Sequence, residues 1–100
     1  MRLSQFQIDT INKLAGKYFG PGTSVALFGS RTDDLKKGGD IDLLIQNNNE
    51  STLTIEAKVH FLAELKTIIG DRKIDVIFDN SHTRQKKNFY RSVIRQKAKL

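Results

Sequence analysis

The stretch SVALFGSRTDDLKKGGDIDLLIQ, residues 24–46, predicts both the centre of the fold and the position of a site. An apolar run ends at the small pair Gly29-Ser30, and a second apolar run begins after Asp40. This second run carries two carboxylates, Asp40 and Asp42, two positions apart. In a β-strand, side chains at i and i+2 leave the same face about 7 Å apart. The stretch therefore predicts two strands joined by a turn, with a pair of acids on one face.

The residues around this pair extend it into a candidate metal and phosphate site. A third acid, Asp75, lies in the strand-like run KIDVIF at residues 73–78, on the opposite face from three alternating apolar residues. Magnesium prefers carboxylate and phosphate oxygens, and two such ions can hold the attacking and leaving oxygens of a phosphoryl transfer. Gly29 lets the backbone approach a phosphate, Ser30 offers a hydroxyl and an N–H at the start of a helical turn, and the guanidinium of Arg31 matches a triphosphate. We therefore predict a magnesium–nucleotide site.

Two helices are predicted around these strands. Ser4 and Gln7 form a capping-box pattern before the first helix, which a Gly-Pro-Gly sequence ends. The second helix is expected from about Thr52 to Ile69, and Gly70 is placed to form its C-terminal cap. Its predicted core-facing stripe consists of Ile55, Val59, Leu62, Leu65 and Ile69.

A further helix is expected from about Thr83, with Phe89, Val93 and Ile94 facing inward. The elements then follow the order helix, strand, short helix, strand, helix, strand, helix. This order predicts an α/β fold in which helices flank a small mixed β-sheet. The 100 residues are enough for one core, so we expect a single domain over residues 1–100.

The composition excludes several classes of protein. The chain has no cysteine, which excludes a disulfide framework and a thiolate metal site. The N-terminal residues lack the apolar region of a signal peptide, and no apolar run approaches the ~20 residues of a transmembrane helix. We therefore expect a cytoplasmic protein that does not enter a membrane.

The net charge of +6 is concentrated near the C-terminus. Residues 80–100 contain seven basic residues and no acid: Arg84, Lys86, Lys87, Arg91, Arg95, Lys97 and Lys99. Such a run fits a solvated helix, an acidic protein partner or a nucleic acid. Because apolar residues interrupt the charges, we expect this segment to dock a protein rather than a nucleic acid.

These motifs together resemble the nucleotidyltransferase superfamily of DNA polymerase beta. The shared pattern is an apolar strand, Gly-Ser, a spacer, Asp-x-Asp and a later acid, and it covers nearly the whole chain. More narrowly, the chain resembles the minimal nucleotidyltransferase (MNT) family, whose members are paired with HEPN proteins. The resemblance implies the polymerase beta-like nucleotidyltransferase fold. It assigns the metal-ligand and catalytic roles to Asp40, Asp42 and Asp75. The nucleotide-binding residues that it implies are Gly29, Ser30 and Arg31.

The same resemblance implies a function. MNT proteins resemble antitoxins encoded beside HEPN ribonuclease toxins, and some transfer AMP from ATP to a tyrosine of the toxin. Larger relatives hold their substrate with an additional domain that a chain of 100 residues lacks, so we expect a partner protein to supply the acceptor, in a hetero-oligomer. The expected activity is a protein adenylyltransferase that uses Mg²⁺ and ATP. Two alternatives stay open: an antitoxin that acts by binding alone, and the catalytic subunit of a small-molecule nucleotidyltransferase.

Overall fold

The computed structural model describes residues 3–28, 41–70 and 72–100. Its helices are α1 (Gln5–Phe19), α2 (Ile55–Ile69), α3 (Ser81–Arg84) and α4 (Lys87–Gln96). Its strands are β1 (Ser24–Leu27), β2 (Ile41–Gln46), β3 (Ile74–Phe78) and β4 (Ala98–Lys99). A 3₁₀ turn, Glu50–Thr52, precedes α2. The predicted α/β class, a small mixed sheet with flanking helices, is confirmed.

The strands of the described ranges form one sheet in the order β3-β2-β1-β4. β2 and β3 are parallel, whereas β1 runs antiparallel to both of its neighbours, β2 and β4. The sheet is therefore mixed. The parallel pair β2 and β3 requires a long crossover connection, which α2 supplies. No helix in these ranges has both the length and the apolar composition to cross a bilayer.

Side chains alternate along each strand, so the sheet separates two cores. The larger core lies against α1 and α2, where the rings of Phe19 and Phe61 pack with centroids 5.3 Å apart. The smaller core lies on the opposite face, where α4 contributes Val93. Its remaining members are Ala26, Phe28 and Leu44, with Ile77 and Ile94 packed against them.

The first helix begins and ends as predicted, whereas the second ends as predicted but begins at Ile55 rather than at about Thr52. The Oγ of Ser4 accepts a hydrogen bond from the N–H of Gln7 at 3.1 Å, and the Gln7 side chain accepts one from the N–H of Ser4 at 2.8 Å. This is the predicted capping box. α2 is capped by Thr54 and ends at Gly70, whose φ of 106° is a conformation that glycine adopts more readily than other residues.

The predicted core-facing stripe of α2 is wrong at its first half. Ile55 and Val59 are 75% and 57% exposed, whereas Phe61 and Leu65 are fully buried. The helix is rotated so that Phe61 can reach Phe19 in the larger core. Two aliphatic residues at helical spacing are thus left on the surface, because the aromatic contact determines which face is buried.

The C-terminal segment also differs from the prediction. The expected single helix from Thr83 is two helices, α3 and α4, and the short strand β4 follows them. Val93 is buried as predicted, but Phe89 is 42% exposed. Tyr90 turns inward in its place, because its hydroxyl bonds to the carboxylate of Asp79 at 3.2 Å. The short helix predicted between the first two strands lies outside the described residues.

Candidate active site

The sheet face beneath α4 carries side chains in three rows across β1, β2 and β3. Strand register pairs Ala26 with Leu44 and Leu44 with Ile77, which gives an apolar middle row. The first row contains Phe28, Asp42 and Asp75, and the third contains Ser24 and Gln46 with Asp79 at the same end. The middle row lies under α4, so it separates the acids of the first row from the acid near the third.

Asp42 and Asp75 are register partners on the parallel strands β2 and β3. Adjacent strands are about 4.8 Å apart, and residues in register leave the same face, so the two carboxylates are neighbours. Their surroundings differ: Asp42 is only 6% exposed, whereas Asp75 is exposed on the outer strand of the described sheet. The structure therefore brings together two of the three predicted acids, one buried and one open to solvent.

The chemistry of this pair fits a divalent cation. Carboxylate oxygens are the protein ligands that magnesium prefers. Two carboxylates side by side on a partly buried face repel each other, and a bound cation relieves that repulsion. Asp42 and Asp75 are therefore the described residues suited to hold Mg²⁺, and their assignment as metal ligands and catalytic residues stays a prediction.

The other predicted site residues lie outside the described residues. Gly29, Ser30, Arg31 and Asp40 all belong to the segment 29–40, and their roles also stay predictions. The described residues at the two ends of this segment lie at the acidic row. The N–H of Phe28 bonds to the carbonyl of Asp42 at 3.1 Å, and Ile41 immediately precedes Asp42.

A second buried acid, Asp79, was not singled out from the sequence. It is 3% exposed, and its carboxylate accepts hydrogen bonds from the guanidinium of Arg84 at 2.9 Å and from the hydroxyl of Tyr90. Arg84 also bonds to Glu50 at 2.6 Å, and Glu50 accepts the N–H of Ser81 at 3.2 Å. These bonds connect the end of β3 with the 3₁₀ turn, α3 and α4.

The electrostatics of this cluster follow from its contacts. The hydrogen bond from Arg84 lowers the pKa of Glu50 below its ordinary value. Burial, followed by the nearby Asp79 carboxylate, raises the pKa of Tyr90. Since Asp79 already has protein donors on both carboxylate oxygens, it holds the C-terminal helices in place and is not an open ligand. Its place four residues after Asp75, on the same strand face, is the one sequence signal that marks it.

A family comparison gives the identity of this fold. The model of the family described as "Polymerase beta, Nucleotidyltransferase" matches residues 9–100. The chain belongs to this family. The match includes every described strand and the acids of the first row, so the chain is a nucleotidyltransferase of the polymerase beta-like superfamily. Among curated proteins, none matches this nucleotidyltransferase.

Proposed function

We propose that this nucleotidyltransferase transfers AMP from ATP to a tyrosine hydroxyl of a partner protein, with Mg²⁺ as cofactor. We further propose that the partner is a HEPN ribonuclease toxin and that the nucleotidyltransferase acts as its antitoxin. The observation that supports the chemistry is the pairing of Asp42 with Asp75 on one sheet face. The MNT resemblance supports the choice of acceptor and partner.

Asp42 and Asp75 have different roles in the proposed reaction. The acceptor oxygen attacks the α-phosphorus of ATP, the bond from that phosphorus to the β-phosphate oxygen breaks, and pyrophosphate leaves. The exposed carboxylate of Asp75 accepts the proton of the acceptor hydroxyl, as a general base. The buried carboxylate of Asp42 is held by its strand and would hold Mg²⁺, whose charge attracts the phosphates of the nucleotide. When bound, Mg²⁺ supplies positive charge that stabilises the phosphate oxygens.

The position of Asp75 supports a macromolecular acceptor. It is exposed on β3, the outer strand of the described sheet, so an acceptor attached to a second protein can approach it from solvent. A general base must come within hydrogen-bond distance of the proton that it removes. A protruding tyrosine meets this condition without an enclosed pocket.

The test is an AMP-transfer assay with a HEPN protein encoded beside this chain. The two proteins are incubated with Mg²⁺ and with ATP labelled on the α-phosphate, and the mass of the HEPN protein is then measured by mass spectrometry. The proposal expects the mass of AMP to be added to a HEPN tyrosine, together with loss of ribonuclease activity. Omission of Mg²⁺ should abolish both changes.

The same assay distinguishes the alternatives. Inhibition of the ribonuclease without a change in mass indicates an antitoxin that acts by binding alone. Label that appears on a small hydroxylated compound, and not on protein, indicates a small-molecule nucleotidyltransferase. Absence of any transfer with several nucleotides and acceptors would contradict the proposed activity.

A further inference from the structure

The exposed side of α4 carries a row of basic side chains that the proposed reaction does not use. Lys87, Arg91 and Arg95 are all exposed and are spaced at i, i+4 and i+8. At 3.6 residues per turn they span about 80° of the helix circumference and about 12 Å of its length. We call these three residues the basic stripe. In the described part of the chain, none of them forms an ion pair.

The start of α4 gives a second, independent observation. Lys86 occupies the N-cap without a side-chain cap hydrogen bond, Lys87 follows it, and the first turn has no acid. Basic residues at a helix N-terminus oppose the helix dipole and destabilise the first turn. The sequence thus keeps positive charge where it destabilises the isolated helix. Local violations of such rules are expected at functional surfaces.

We propose that the basic stripe is a docking surface for an acidic amphipathic helix of a partner protein. Carboxylates at i, i+4 and i+8 of such a helix would repeat about every 6 Å, which matches the spacing of the stripe. Ile94 is only partly buried and lies within about 60° of both Lys87 and Arg91 around the helix, so an apolar side chain borders the stripe. The partner helix therefore carries apolar residues beside its acidic row.

Two other occupants fit less well. A second copy of this chain carries a net charge of +6, so the two copies would repel each other. Binding of a nucleic acid in a groove is disfavoured by the packing of α4 against the sheet. The helix lies against the sheet through Val93 and Ile94 and is bonded to Asp79 through Tyr90, so it does not protrude to enter a groove.

This inference rests on the proposed function in one respect, because that function requires a partner protein that brings the acceptor. α4 packs on the sheet face that also carries Asp42 and Asp75. A protein bound along α4 is therefore held on the side of the sheet where the acids lie. Docking itself requires neither ATP nor Mg²⁺, so it can be measured separately from transfer.

The experiment measures binding of a labelled synthetic helical peptide by fluorescence anisotropy. The peptide has Glu at i, i+4 and i+8 and Leu on the adjacent stripe, and the buffer contains about 0.15 M salt. We expect the full chain to bind it, and the triple variant K87E/R91E/R95E to bind about tenfold more weakly, since the lost pairs are exposed ones. Because the three side chains are exposed, the variant should retain the folded circular dichroism spectrum.

The matched control is K13E/K58E/K66E, which changes the net charge by the same amount on helices α1 and α2. This control should bind the peptide nearly as well as the unaltered chain. An equal loss in both triple variants would show that only net charge matters and would overturn the proposal. Failure of the unaltered chain to bind the peptide, or tighter binding of a random DNA duplex under the same conditions, would also overturn it.

The docking surface and the proposed activity can fail independently, and Asp75→Asn tests whether docking is independent of the acidic site. The substitution lies outside the basic stripe, so peptide binding should be unchanged. If the peptide binds as expected but no AMP transfer is found with any acceptor, the docking surface stands and the proposed activity fails. If transfer occurs while the triple charge reversal leaves peptide binding unaffected, the docking surface is wrong and the activity stands.

Discussion

Asp75 and Asp42 are neighbours in the sheet, yet their different exposure predicts different roles. We expect Asp75→Asn to retain Mg-ATP binding but to lose AMP transfer by ~10²-fold or more, the usual contribution of a general base. The melting temperature should be unchanged or raised, since one of two adjacent like charges is removed. Calorimetric titration with ATP, a transfer assay and a thermal melt provide the three measurements.

The control for that prediction is Glu56→Gln, which removes an exposed acid from the first turn of α2, away from the acidic row. It should leave both ATP binding and transfer unchanged. Equal losses of binding and transfer in Asp75→Asn would make Asp75 a binding ligand only. No loss of either would mean that it is an ordinary surface residue of an outer strand.

The raised pKa of Tyr90 predicts that the free energy of unfolding depends on pH at high pH. Burial and the neighbouring Asp79 carboxylate raise its pKa above the ordinary value of 10.0. The folded protein therefore holds the phenolic proton more tightly than the unfolded chain does. This contribution to stability is complete below pH 10 and is lost as the pH rises through the folded-state pKa.

Tyr90→Phe should accordingly be less stable than the unaltered chain at neutral pH, and the difference should shrink above pH 10. Urea unfolding at a series of pH values measures it. Tyr18, whose pKa is also raised, through its hydrogen bond to Glu64, is present in both proteins and cancels in the comparison. A difference that stays constant from pH 7 to 11 would contradict the assigned role of the Tyr90 hydroxyl.

How far the site can be predicted from sequence also differs from residue to residue. The face that Asp75 occupies follows from strand alternation alone, because Ile74 and Val76 on either side must face a core. The role of Asp79 could not be predicted in this way. Its burial depends on Arg84 and Tyr90, which reach it only through the packing of helices that follow in the chain.

At the scale of elements, the uncapped start of α4 predicts a simple gain in stability. Lys86→Ser introduces a hydroxyl that can accept a hydrogen bond from the first turn, which typically stabilises a helix by about 1 kcal/mol. For a domain of this size, that corresponds to a rise in Tm of about 4–8 °C. Lys86→Ala removes the charge without adding a cap. Lys86→Ser should therefore melt higher than Lys86→Ala, and equal melting temperatures would contradict the capping argument.

The elements themselves were predicted unequally well. The helices α1 and α2 have clear caps, and the first three strands are apolar runs. The positions of these elements therefore follow largely from local sequence. The buried face of α2 was misjudged because two apolar stripes compete on it. One contains Ile55 and Val59, and the other contains Phe61 and Leu65, of which only Leu65 belonged to the predicted stripe. Local spacing cannot choose between them, since the choice depends on Phe19 in another helix.

The missed strand β4 shows the same limit more strongly. It has only two residues, Ala98 and Lys99, and neither favours a strand. The strand exists because the edge of β1 offers unpaired backbone groups, to which the last residues bond. The N–H of Leu100 continues this pairing at the carbonyl of Val25, 2.9 Å away. Nothing in its local sequence predicts this pairing.

For the whole molecule, β4 has a consequence for behaviour at high concentration. It covers the edge of β1, a strand whose residues Val25, Ala26 and Leu27 are all buried. An uncovered apolar edge can pair with the same edge of another molecule and lead to aggregation. The outermost strand is instead very short and carries Lys99, with Lys97 just before it, two features that oppose further strand addition.

Deletion of residues 98–100 should therefore cause concentration-dependent self-association at temperatures well below the melting transition, which light scattering would detect. Leu100→Ser is the control, because it removes the packing of Leu100 against the larger core but retains the strand. If the deletion variant and Leu100→Ser show equal increases in light scattering, the loss of core packing explains the self-association. If only the deletion increases the scattering, the pairing of these last three residues with β1, which has no role in the proposed chemistry, keeps this basic nucleotidyltransferase monodisperse.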